Sequence, residues 1–131
     1  MSISEASDRN DFERWLTAAF EEDGSFTALI VLVEIDETRV TPISSTYVNV
    51  IGPDVDWSDL VVMFAGAGHE WNGVAFFPRQ DVDGQPLDNP TARLKLRDLE
   101  QRLDDDRLVL NEGHFFDHLG RRMKIEEVTR Q

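Results

Sequence analysis

Two of the chain's three histidines stand in the stretch NEGHFFDHLG, residues 111–120, as His114-x-x-Asp117-His118. Such residues could ligate a metal through two imidazoles, or move a proton through an imidazole oriented by a carboxylate. A two-histidine metal motif needs both rings on adjacent turns of a helix. Gly113 and Gly120 bracket only six residues here, too few for that helix. Asp117-His118-Leu119-Gly120 has instead the composition of a type I turn closed by a left-handed glycine, with the aspartate able to accept from an N–H two residues on. A β-hairpin then puts His114 in a strand and His118 at the tip. Four strand residues separate them by roughly 13 Å, too far to share one ion. No metal site is expected, and His114 stays a candidate for proton transfer.

A second stretch, GAGHEWNG at 66–73, holds the remaining histidine. Its Gly-x-Gly follows a helical pattern and lacks the third glycine of a dinucleotide fingerprint. HEWNG begins like a zinc-protease motif, but Gly73 stands where the second histidine is required. A helix cap and turn entering a strand accounts for the same letters. Still, His69, Glu70 and Trp71 crowd the mouth of a buried strand, where a cleft could hold a small ligand with His69 or Glu70 as acid or base. DVDGQPLDN at 81–89 alternates acids as calcium loops do, yet the sixth and twelfth positions are Pro86 and Ala92 rather than Gly and Glu. There is no Gly-x-Ser-x-Gly, no phosphate-binding loop and no cysteine. No cofactor is expected, and the chain carries the motif set of no known family.

Charge is the chain's other marked property. The net charge is −13, with 17 acidic and 4 basic side chains in residues 1–90 against 9 of each in residues 91–131. Such a field repels nucleic-acid phosphates and anionic membranes and attracts a basic protein partner or cations, while acidity kept for solubility accounts for the same charge. Glu21, Glu22 and Asp23 fall at the C-terminal end of a helical pattern, where the dipole disfavours acids by about a few tenths of a kcal/mol each. Folding alone does not explain them. They are therefore candidate binding residues, with Trp71. The start of the chain carries no secretory pattern, and the apolar runs at 28–33 and 60–68 are too short to span a bilayer. A cytoplasmic protein is expected, its homo-oligomeric state left open.

The elements that must position these residues follow from periodicity. Phe12, Trp15, Leu16, Ala19 and Phe20 mark one helical face, opened by Asn10 with Glu13 in a capping-box pattern and stopped by Gly24. FTALIVLVEI (26–35) is apolar on both alternating faces and reads as a central strand. Residues 39–51 read as an edge or bulged strand because Pro42 cannot donate to a ladder. Asp56 caps a helix through Trp57, Leu60, Val61 and Phe64, and WNGVAFFP (71–78) is a short buried strand. Asn89-Pro90 starts a third helix striped by Ala92, Leu96, Leu99 and Leu103. RLVLN and RRMKIEEV read as strands flanking the hairpin. The expectation is a single α+β domain over 1–131, with residues 1–6 a flexible tail. Three helices lie mainly on one face of a largely antiparallel sheet of five to six strands, in the order α-β-β-α-β-α-β-β-β. Its expected role is that of a non-catalytic protein-binding or regulatory module. The alternative is a small-molecule binder or enzyme using the turn at 69–71.

Overall fold

A computed structural model describes residues 10–37, 39–52, 55–66, 68 and 70–124, so the tail at 1–6 lies outside the described residues. Asn10 is extended and its side chain accepts from the N–H of Glu13 (2.8 Å), which starts helix α1 (Asp11–Asp23); Gly24, at φ 77°, ends it. Glu13 turns its carboxylate to the N–H of Trp57 (3.1 Å) and so caps a different helix, α2 (Trp57–Ala65). That helix has Asp56 as its own N-cap, as the sequence implies.

Strands β1 (Phe26–Ile35), β2 (Val40–Val50), β3 (Gly73–Arg79) and β4 (His114–Asp117) form one antiparallel sheet in the order β2-β1-β3-β4. β1 is central, as its two apolar faces require. β2 lies at an edge, and its register to β1 shifts between Leu32 and Val33 beside Pro42, so the proline sits where no ladder donor is needed. Among the described residues there are four strands where five to six are expected. RLVLN is a 3-10 helix (Arg107–Glu112) capped by Asp106, which accepts from Leu108 N. Val109 and Leu110, adjacent in sequence, are both buried in one cluster, and an alternating strand cannot do that. Of RRMKIEEV, residues 121–124 are described. They form the return arm of the hairpin through one bridge, Phe116–Arg122, and the bonds Asp117 N to Arg121 O and Met123 N to Phe115 O.

The helices also divide differently. Helices α1 and α2 press Phe12, Leu16, Trp57, Leu60 and Phe64 onto Ala28, Ile30, Leu32, Val74, Phe76 and Phe116 on one face. Helix α3 (Asn89–Asp105) and the 3-10 helix bury Leu99, Leu103, Val109 and Leu110 against Leu29, Val31, Val33, Ala75, Phe77 and Phe115 on the other. A sheet whose central strand is apolar on both sides needs cover on both sides. The result is three layers rather than helices mainly on one face. The cap of α3 is Asp88, one residue before the expected Asn89; its side chain accepts from Thr91 N.

Thr27 is the buried polar side chain in this core. Its hydroxyl donates to Asn49 Oδ1 and accepts from Leu87 N, both at 2.8 Å, and so ties the loop before α3 to the sheet. Thr27→Val keeps the shape but orphans the buried Leu87 N–H. The expected loss is about 1–3 kcal/mol in a denaturant titration; a loss below about 0.5 kcal/mol would show that water can replace the hydroxyl.

Candidate functional site

The chemistry-bearing residues sort into three separate places. The first is the junction of the hairpin with α1. The side chain of Asp117 accepts from Leu119 N and Arg121 N (both 2.9 Å) and from Arg121 Nε (2.8 Å), and Gly120 takes φ 78°. Burial pushes the Asp117 carboxyl up, but those N–H donors and the guanidinium outweigh it and hold the acid below its usual range. The tip is docked: Gly120 O accepts from Phe12 N (3.0 Å), Leu119 O from Asn10 Nδ2 (3.3 Å), His118 O from Trp57 Nε1 (3.2 Å) and Asp11 Oδ2 from Arg122 N (2.8 Å). His118 itself is exposed. Its place is at a turn, fastened through the backbone to both helices.

His114 begins β4 at half burial. Its ring stacks on Trp15 (4.5 Å between centroids, 27° between planes), and Nδ1 lies 3.3 Å from Arg122 Nη1. Burial first, and the Arg122 charge second, push the imidazole's pKa down, so the neutral ring accepts from the guanidinium. No carboxylate bonds this ring among the described residues. The contacts the ring makes are thus the stack on Trp15 and the bond from Arg122. An open cleft of about 390 Å³ adjoins it, lined by Asp11, Arg14, Trp15 and Arg122, with Arg14 and Asp11 paired. Trp15 and Arg122 were not among the candidates from the sequence. Helical spacing reads Trp15 as core alone, and nothing local points to a contact 99 residues away.

The second place is the entry to β3. His69 lies outside the described residues. Glu70 is exposed, and Trp71 is half-buried with its indole edge-on to Phe64 (5.3 Å) and Trp57 (6.3 Å). The indole is thus spent on packing α2 to the sheet. The third place is the far end of α1, where Glu21, Glu22 and Asp23 are all exposed. Gln80 Nε2 donates to the carbonyls of Asp23 (2.9 Å) and Ser25 (2.8 Å), so the helix end is capped by an amide while its three carboxylates face solvent. Trp71 packs near the start of α1 through Trp57 and Phe12, at the opposite end from these acids. The described candidates therefore do not converge. Among the described residues no three His, Asp or Glu side chains stand close enough to hold a metal ion, and no helix is long and apolar enough to cross a membrane.

What the fold does assemble is a difference between layers. Within its own range, helix α1 carries Asp11, Glu13, Glu21, Glu22 and Asp23 against Arg14, and α2 adds Asp59 with no basic residue. Helix α3, on the opposite face, balances Asp98, Glu100, Asp104 and Asp105 with Arg93, Lys95, Arg97 and Arg102. No protein-family model, no curated protein and no solved structure matches the chain.

Proposed function

We propose that the protein is a non-catalytic binding module whose α1–α2 side receives a basic protein partner. The observation that carries this reading is the charge difference between the two helical layers: one strongly acidic, the other balanced. A protein acidic only for solubility has no need to keep one layer neutral. The acidic side also presents apolar contact, since Val62 and Met63 of α2 are 72% and 42% exposed. Carboxylates and a small apolar patch on the same layer suit a cationic surface that is steered in by charge and then held by packing.

Reversing Glu21, Glu22 and Asp23 to lysine tests it. Association should be fast at low salt and slow as the Debye length falls from about 30 Å at 0.01 M to about 8 Å at 0.15 M. The triple reversal should weaken capture of the partner from a lysate of the source cell. It should also raise the stability of the free domain by roughly 1 kcal/mol, because lysine suits the C-terminal end of a helix. Binding and stability would then move in opposite directions. Capture unchanged by the reversal, or a free domain that loses stability, would mean the cluster serves the fold.

A further inference from the structure

The edge strand β2 is unusual for this chain. Over its 11 residues, VTPISSTYVNV, it has no charged side chain, in a protein of which 30% is charged. Exposed sheet edges present alternate N–H and C=O groups outward and are normally blunted by charge, by proline or by a covering segment. Pro42 and the register shift guard only the first part, and among the described residues nothing of that kind follows beyond Pro42 through Val50. Beyond its pairing with β1, the β2 backbone gains among the described residues the bond from Arg107 Nε to Val40 O (3.0 Å) at the strand's start. At the other edge of the sheet, β4 is covered by the hairpin's return arm.

Helix α3 runs beside this bare edge. Tyr47 Oη donates to Asn89 Oδ1 (3.1 Å), Ser45 Oγ donates to the Glu100 carboxylate, and Glu100 and Asp104 line a groove with Ser44 and Ser45. At 100° per residue, Arg93, Arg97, Glu100 and Asp104 share one stripe of the helix. That stripe stands about a quarter turn from the buried Ala92, Leu99 and Leu103, on the side towards β2, while Arg102 points the other way to Glu112 (2.8 Å). Read along the helix, the stripe is plus, plus, minus, minus. This order opposes the helix's own dipole, which favours acids at the start and bases at the end. Local stability does not account for it.

We infer that a second copy of the chain pairs antiparallel on β2 about a twofold axis, making one eight-stranded sheet. An antiparallel edge is complementary to itself, so a twofold closes the contact and leaves no open end. Helix α3 touches both β1 and β2, so with strands about 4.8 Å apart the two helices, each set back between those strands, stand roughly 10 Å apart, within packing range. The twofold reverses one α3 against the other. Arg93 then faces the partner's Asp104, and Arg97 faces the partner's Glu100. An uncharged strand is also the surface on which two chains of net charge −13 approach with least repulsion. A peptide from an unrelated protein could use the bare edge but would have no use for a self-complementary stripe.

Size-exclusion chromatography with light scattering decides it. The wild-type chain of 15.0 kDa should run at twice that mass. R93E/R97E makes the stripe all negative and E100R/D104R makes it all positive; each alone should raise the dimer Kd by about a hundredfold or more. Mixed in equal amounts the two should form a heterodimer, and the fourfold variant, again self-complementary, should dimerise like wild type. All four side chains are exposed, so helix content should hold in every variant. A wild-type chain that stays at 15.0 kDa through the micromolar range overturns the inference, as do double variants that dimerise unchanged or fail to pair when mixed.

Discussion

Gly120→Val is expected to lower the unfolding free energy by about 2–4 kcal/mol, or roughly 10 °C in melting temperature for a chain of this size. Two costs combine. Gly120 sits at φ 78°, where a β-branched residue is strained by about 1–2 kcal/mol. A side chain there would also lie 2.2 Å from Asn10 Nδ2 and 2.6 Å from its Cγ. It must displace the residue that caps α1, and losing such a cap costs about 1 kcal/mol more. The neighbouring His118→Ala should change stability by less than about 0.5 kcal/mol, because the fold uses that residue's carbonyl rather than its ring. Zinc or a chelator should leave the melting curve in place. A Gly120→Val protein as stable as wild type would mean that hairpin and helix are not joined as described; a chelator-induced drop reproduced by His114→Ala would restore the metal reading.

The same junction shows what local pattern can reveal and what it cannot. Asp117 and Gly120 announce a turn because each position of that turn has its own chemical demand, and the demand is met within five residues. α1, β1, β2, α2 and β3 are likewise readable, since burial imposes a period of 3.6 or 2 on the apolar residues of each. The readings that failed depend on neighbours remote in sequence. RLVLN alternates like a strand, but Leu99 and Leu103 of the preceding helix draw Val109 and Leu110 into one cluster. Glu13 is spaced to cap its own helix, and nothing local announces that its carboxylate reaches Trp57 N at the start of α2. Which side of the sheet α3 takes was implicit in the two apolar faces of β1, and needed only that observation carried one step further. For the candidate site, Glu21–Asp23 could be singled out because an acid at a helix C-terminus contradicts the dipole. The stripe on α3 breaks the same rule, and its arrangement relative to β2 is visible only once the edge is known.

Phe12→Ala should cost more than any other single truncation of α1, about 3–5 kcal/mol. The ring is 1% exposed and lies 4.9–5.8 Å from the rings of Trp15, Trp57, Phe76 and Phe116, the last edge-on at 86°. Its removal opens a cavity walled by four rigid rings, which collapse around a methyl group less readily than aliphatic chains do. Around Phe12 the helix is held by Leu16 and by the half-buried Trp15, Ala19 and Phe20. It is 13 residues long, its fully buried side chains are Phe12 and Leu16, and its last turn holds acids and no base; a helix of that length is marginal in water on its own. Releasing it also strips the hairpin tip of the partners Phe12 N and Asn10 Nδ2. The loss should therefore spread, with hydrogen exchange accelerating at α1 and the 117–122 turn before β1 and β3. Phe20→Ala, at a half-buried site one turn from the end, should cost about 1–2 kcal/mol and leave the turn protected. A Phe12→Ala variant that loses less than about 2 kcal/mol, or one whose turn stays protected while α1 exchanges, would show that the hairpin is anchored to the sheet and Trp57 rather than to the helix.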